Sequence, residues 1–119
     1  MPPVGPYTPV VRAGDFLIVS GQLGRTTEGE FVPGGVGPQT GQAVANVAEL
    51  LKAEGASLAD VVKTTVLLAN IDDYGIVNEA YVGAFGEHRP ARSAFATGGL
   101  PLGALVEIEA WAYSPLQSA

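Results

Sequence analysis

The sequence contains no cysteine and only one histidine, His88. The lack of cysteine excludes a disulfide framework, a thiolate nucleophile and a zinc–thiolate site. A single imidazole is too few for a histidine-based metal cluster or for a relay that needs two histidines. We therefore expect no metal site, and any chemistry must come from hydroxyl, carboxylate, amide or guanidinium groups.

Long apolar runs and clustered positive charge are also missing. No apolar stretch approaches the ~20 residues that cross a bilayer. The first residues, MPPVGPYTPVV, lack the basic start and apolar core of a signal peptide, so we expect a soluble, cytoplasmic protein with no membrane partner. The net charge is −6, and the six bases are scattered, which argues against a nucleic-acid partner. An anionic small substrate remains possible if one arginine is placed locally.

The length of 119 residues and the hydrophobic fraction of 47% fit a single domain over residues 1–119. Apolar and β-branched runs predict strands. Residues 24–32 are predicted to form a turn that leads into a brief further strand. Apolar residues at helical spacing predict two helices, the first capped by Thr40 after a loop at 33–41. The predicted strands are 15–22, 61–69, 93–97 and 104–113, and the predicted helices run from 40 to about 54 and from 72 or 73 to about 85.

This element order favours an α+β fold, in which one mixed β-sheet carries two α-helices on the same face. The other face of the sheet would then be bare. The composition of strand 61–69 nevertheless predicts apolar residues on both of its faces. Strand 104–113 alternates small apolar residues with Glu107, Glu109, Trp111 and Tyr113. Because a bare face of this composition would be an exposed apolar patch, we expect another subunit to cover it.

Common catalytic motifs are missing, including the GxSxG elbow, the Walker lysine and HExxH. Polar residues inside apolar strands remain as candidates. Ser20 and Gly21 end a strand, where they either form a turn or allow a ligand close to the backbone. Arg92 is either a surface residue or an anion ligand. Glu107 and Glu109 share one strand face, which is either solvated or covered; if it is covered, Arg92 is the natural partner.

Two further polar residues fall near these candidates. Tyr7 is a core or rim tyrosine or a group that closes a pocket. Asn78, in the second predicted helix, could cap, bond to the backbone or face a ligand. Residue patterns alone thus indicate an oligomeric α+β domain with a possible anion site, and they name no reaction.

Four segments together resemble the signature segments of the RidA/YjgF family, formerly called endoribonuclease L-PSP. They are GPYTPVVRAGDFLIVSGQLG (5–24), VVKTTVLLANIDDYGIVNEAY (61–81), PARSAFATGGLP (90–101) and VEIEAWAY (106–113). The resemblance runs in order over residues 5 to 114. It implies a chorismate-mutase-like fold that assembles as a homotrimer, with the sheets inward and the active sites between neighbouring subunits.

The resemblance also implies an activity, the hydrolysis of 2-imino acids or their enamine tautomers to 2-oxo acids and ammonia, without a cofactor. By position in the motifs, Arg92 would bind the substrate carboxylate and Glu107 would orient or activate water. The substrate-binding residues carried over in the same way are Tyr7, Ser20, Gly21, Asn78 and Ala94.

The sequence departs from the family pattern in three places. Ala94 stands where many members have cysteine, so only its backbone N–H could serve a substrate. The leading strand of many relatives is reduced or absent, and the loop before PARS is compact. Two other functions remain open: a non-catalytic module that binds small molecules such as 2-oxo acids, and a ribonuclease, against which the negative charge argues.

Overall fold

The computed structural model describes residues 4–116, which form one five-stranded mixed sheet and two α-helices. The elements in chain order are β1 (Val10–Ala13), β2 (Phe16–Leu23), α1 (Val36–Ala53), β3 (Val61–Leu68), α2 (Tyr74–Phe85), β4 (Ala91–Ala96) and β5 (Val106–Tyr113). The strand order is β1-β2-β5-β3-β4; β3 and β4 are parallel, and the other neighbours are antiparallel. The predicted α+β architecture is confirmed.

Three details of the strands differ from the prediction. A short strand, β1, pairs with β2, and the sequence analysis did not predict it. The brief strand expected near residue 31 is only a bridge between Arg25 and Phe31. Strand β3 is not buried on both faces within one chain, because Lys63, Thr65 and Leu67 are only half-buried.

Helix α1 begins at Val36, four residues before the predicted cap at Thr40. Gly34 and Gly35 have φ angles of 109° and 92°, and glycine is the residue that adopts this backbone readily. Thr40 is fully buried inside the helix, where its Oγ1 donates a hydrogen bond to the Val36 carbonyl at 2.8 Å. The loop prediction failed because proline is well tolerated in the first turn of a helix.

Both helices cover the same face of the sheet and form the core with it. Alternate strand residues, including Leu17, Val66 and Ile108, are at most 1% exposed and join Val47 of α1 and Val77 of α2 in one cluster. The alternation predicted for β5 is confirmed, since Val106, Ile108, Ala110 and Ala112 are buried on the helix side. No α-helix among residues 4–116 is long and apolar enough to cross a membrane.

The opposite face of the sheet, here called the open face, is uncovered in a single chain. It carries large apolar side chains that are 43–50% exposed, namely Val11, Phe95, Trp111 and Tyr113. Phe16 packs edge-on against Trp111 and Tyr113, with ring centroids 6.0 and 5.4 Å away. An apolar, aromatic surface of this kind is typical of a protein interface.

Candidate active site

A cleft on the open face contains four of the predicted site residues. Tyr7, Ser20, Gly21 and Glu107 line this cleft, which has a volume of about 330 Å³. Its other lining residues are Val4, Leu23, Pro101 and Glu109. We call it the Glu107 cleft.

An irregularity in strand β2 shapes the floor of the Glu107 cleft. The register between β2 and β5 shifts between Val19 and Gln22, so that Ser20 and Gly21 form a bulge. Ser20 ties the N-terminal segment to this bulge: its Oγ donates to the Thr8 carbonyl at 2.7 Å, and its N–H donates to Pro9 at 2.8 Å. Ser20 thereby holds the segment that carries Tyr7.

Gly21 is needed because the Glu107 side chain lies directly over it. A Cβ added at Gly21 would overlap Oε2 of Glu107 and would lie 2.7 Å from its Cδ and 2.9 Å from its Cγ. Any larger residue at position 21 would therefore displace the carboxylate. The glycine of the Ser-Gly pair within β2 is explained by this close approach.

The environment of Glu107 changes its acidity. Burial raises the pKa of Glu107 above its usual 4.5, and the neighbouring Glu109 carboxylate raises this pKa further. A carboxylate with a raised pKa accepts and returns a proton more readily near neutral pH. Glu107 is therefore suited to act as a general base and then as a general acid.

Arg92 lines a different cavity, which has a volume of about 340 Å³ and which we call the Arg92 cavity. Its other lining residues are Asn78, Tyr81, Val82, Arg89 and Pro90. Arg92 is the second residue of β4 and pairs with Thr64 of β3, whose side chain is fully buried on the helix side. Two tyrosines of α2 surround the guanidinium. Its carbon lies 5.6 Å from the ring centroid of Tyr74 and 5.0 Å from that of Tyr81.

Two other predicted residues lie on the same side of the sheet. Asn78 borders the Arg92 cavity, and its Oδ1 is buried without a hydrogen-bond partner among residues 4–116. An unpaired buried acceptor of this kind points to a missing donor from a ligand or another chain. Ala94 follows Arg92 by two residues in β4, pairs with Val66 and packs against the core.

The structure does not bring Arg92 and Glu107 together within one chain. Arg92 points to the helix side, whereas Glu107 points to the open face. Strand β3 separates them, and Glu107 lies level with Phe95, three residues beyond Arg92. Standard sheet spacings put their Cα atoms about 14 Å apart. A single chain thus carries two separate clusters of candidate site residues with opposite charge, and we use the term half-site for each cluster.

Sequence reasoning missed Tyr81, which lines the Arg92 cavity, and it missed Tyr74 and Thr64, which bond to Arg92 and to Tyr81 respectively. The signal was present, because Tyr74, Asn78 and Tyr81 are spaced i, i+4 and i+7 on one helix face. Helical spacing predicts only an apolar packing role for Tyr81, whereas its hydroxyl also bonds to Thr64 Oγ1 at 2.7 Å. Within residues 4–116, no group of three acidic or histidine side chains is arranged to hold a metal ion.

The sequence matches the endoribonuclease L-PSP family over residues 1–114. The chain belongs to this family, which includes the RidA and YjgF proteins. A curated rat relative, named 2-iminobutanoate/2-iminopropanoate deaminase, is 46% identical over 108 residues, which cover 90% of this chain and 79% of the relative. The predicted family membership is confirmed.

Solved structures show the same fold. RidA from an Antarctic Psychrobacter is 38% identical, with a TM-score of 0.89 over 94% of this chain and 91% of that one. Escherichia coli TdcF, solved with bound serine, is 32% identical, with a TM-score of 0.87 over 93% of this chain and 90% of that one. The family match over residues 1–114 includes every strand and helix that lines the two pockets.

Proposed function

We propose that this protein hydrolyses reactive 2-imino acids and their enamine tautomers, such as 2-iminopropanoate and 2-iminobutanoate, to 2-oxo acids and ammonia. The observation that carries the proposal is the similarity, over most of the chain, to a relative named for this activity. TdcF with bound serine adds a relative whose ligand, like an imino acid, combines a carboxylate with a nitrogen on the adjacent carbon. We place the activity in the cytoplasm, where pyridoxal-phosphate dehydratases release such imines.

Arg92 binds the substrate carboxylate in this proposal. A guanidinium offers a planar pair of N–H groups that match a carboxylate, and it stays protonated at any physiological pH. The Asn78 Oδ1 atom, buried and unpaired among the described residues, accepts a hydrogen bond from the substrate nitrogen. The backbone N–H of Ala94 is a further donor on the same strand as Arg92.

Glu107 moves the protons of the reaction. As a water oxygen attacks the iminium carbon, Glu107 takes one proton from that water, and a carbinolamine forms. Glu107 then gives the proton to the amino nitrogen, the C–N bond breaks, and the hydroxyl proton leaves with ammonia as ammonium. Tyr7, Ser20 and Gly21 form the wall beside Glu107 and fix its position. These residues supply acid, base and orientation, so the scheme uses no cofactor and no metal.

We further propose a homotrimer in which open faces point inward and the Arg92 cavity of one copy meets the Glu107 cleft of the next. Two observations support this arrangement: the exposed aromatic residues of the open face, and the position of Arg92 on the edge strand β4. The opposite charges of the two half-sites favour such a contact. We do not extend the proposal to RNA, because the net charge of −6 opposes phosphate binding.

The activity can be tested with 2-iminopropanoate or 2-iminobutanoate generated in situ by an amino-acid oxidase. Wild-type protein should accelerate imine decay. With Arg92→Ala or Glu107→Gln, the rate of imine decay should fall to the uncatalysed rate. Arg12→Ala is the matched control, because Arg12 bonds to the Ser114 carbonyl, away from both half-sites. This variant should accelerate imine decay as fast as the wild type does. If wild-type protein leaves imine decay at the uncatalysed rate, the proposed activity is rejected, and retained affinity for 2-oxobutanoate would then identify a binding module.

Mixing the two inactive variants tests whether neighbouring chains share the site. In randomly mixed trimers, about a quarter of the sites would combine an intact Arg92 with an intact Glu107 from the neighbouring chain. Activity of the unfolded and refolded mixture should therefore rise to about a quarter of wild type. A mixture that stays as inactive as each variant alone would contradict a shared site, while leaving the proposed reaction untouched.

A further inference from the structure

Helix α2 places two tyrosines around the guanidinium of Arg92. Tyr74 and Tyr81 are seven residues apart and face the same way, and the Arg92 carbon lies within 5.6 Å of both ring centroids. Distances below about 6 Å are typical of cation–π contacts. Arg92 also donates a hydrogen bond from one terminal nitrogen to the Tyr74 hydroxyl at 3.1 Å.

The Tyr81 side of this arrangement is rigid. Tyr81 is 4% exposed, and its hydroxyl shares a 2.7 Å hydrogen bond with Thr64 Oγ1, which is fully buried. Thr64 is also the direct neighbour of Arg92 across the parallel pair β3–β4. Strand and helix therefore fix the ring under Arg92 before any ligand binds.

The Tyr74 side is different, because Tyr74 is 41% exposed and its only polar side-chain atom is the hydroxyl that bonds to Arg92. Its hydroxyl is the one hydrogen-bond acceptor that the described residues offer to the Arg92 side chain. A guanidinium has five N–H donors, so four remain for a carboxylate. Without the Tyr74 hydroxyl, the guanidinium at the edge of the sheet would be free to rotate away from the cavity, since fixing an arginine side chain costs rotamer entropy.

We propose that Tyr74 is a positioning residue that holds Arg92 in its carboxylate-binding orientation and so sets the affinity for anionic substrates. This inference rests on the proposed function, because it assumes that Arg92 binds the substrate carboxylate. Tyr74 does not touch the reacting carbon in this scheme, so it acts on substrate binding and not on the chemical step.

The test compares wild type, Tyr74→Phe, Arg92→Ala and the double variant. Tyr74→Phe keeps the aromatic ring and removes only the hydroxyl. It should raise KM for 2-iminobutanoate about fivefold, as expected for a partly exposed hydrogen bond to a charged group, and change kcat less than about twofold. Calorimetric titration should show the same fivefold loss for 2-oxobutanoate and no loss for the uncharged 2-oxobutanamide.

The double variant separates positioning from a general structural effect. If Tyr74 acts through Arg92, Tyr74→Phe should change nothing further in the Arg92→Ala background. The inference fails if Tyr74→Phe leaves KM and the 2-oxobutanoate affinity unchanged, or weakens the carboxylate and the carboxamide equally. A wild-type protein that does not accelerate imine decay would instead reject the proposed function, so the two failures can be told apart.

Discussion

Replacing Gly21 by alanine tests the position of Glu107 with a single added carbon. The backbone of Gly21 lies outside the left-handed region, so alanine fits the main chain without strain. Its Cβ, however, would occupy the space of the Glu107 carboxylate, 2.7 Å from Cδ and 2.9 Å from Cγ. Because these atoms end a flexible side chain that borders an open cleft, we expect the carboxylate to move by roughly 1 Å or more while the backbone stays in place.

The expected effects on activity and stability differ in size. A displacement of about 1 Å at a catalytic group costs on the order of 100-fold in rate, within the range that a general base contributes. The kcat for imine hydrolysis should therefore fall about 100-fold. The free energy of unfolding should change by less than about 1 kcal/mol, since alanine lowers the entropy of the unfolded chain and offsets part of the rearrangement.

The assay pairs imine decay with urea denaturation, and Gly24→Ala provides the contrast. A Cβ at Gly24 would lie 2.5 Å from the Cα and 2.6 Å from the carbonyl oxygen of Gln39. Because these are backbone atoms of α1, this variant should lose stability, by roughly 1–3 kcal/mol. Near wild-type kcat for Gly21→Ala would refute the role assigned to the carboxylate position.

Two further predictions concern acidity and one buried hydrogen bond. Glu107 must be ionised to accept a proton, so activity should be lost as the pH falls through the pKa of Glu107, which lies above 4.5. The variant Glu109→Gln removes a neighbouring negative charge and so lowers that pKa. It should therefore shift the acid limb of the kcat/KM profile to lower pH. An unchanged limb would show that Glu109 does not act on Glu107. Thr64→Val leaves the Tyr81 hydroxyl buried without its partner and should cost about 1–3 kcal/mol in urea denaturation, whereas adding Tyr81→Phe should recover most of the loss. No recovery in the double variant would mean that packing, and not the hydrogen bond, causes the loss.

The elements with strong periodicity could be predicted from the sequence because their patterns have one interpretation. The alternation in β5 put Glu107 and Glu109 on one face and small apolar residues on the other, as observed. The predicted start of α1 was wrong because proline is typical of loops, although Pro38 fits the first turn of the helix. Strand β1 was missed because its four residues are too short to show alternation.

The site was harder to predict because side-chain direction in a sheet depends on register. The motif positions of Arg92 and Glu107 imply one site, but they do not say that the two side chains leave the sheet on opposite faces. That fact follows from the pairing of Arg92 with Thr64 and of Glu107 with Leu67. A shift of one residue in either pairing would reverse the face. Sequence periodicity cannot fix this register between strands that are distant in the chain.

The separation of the two half-sites also constrains the assembly. A contact between the Arg92 cavity of one copy and the Glu107 cleft of the next joins two different surfaces, so it is a head-to-tail contact. Head-to-tail contacts form a ring when the rotation closes and a filament when it does not. A closed ring uses every Arg92 and every Glu107 once, which gives as many complete sites as copies. The proposed trimer would then contain three sites, and covering the open face and completing the site would be the same event.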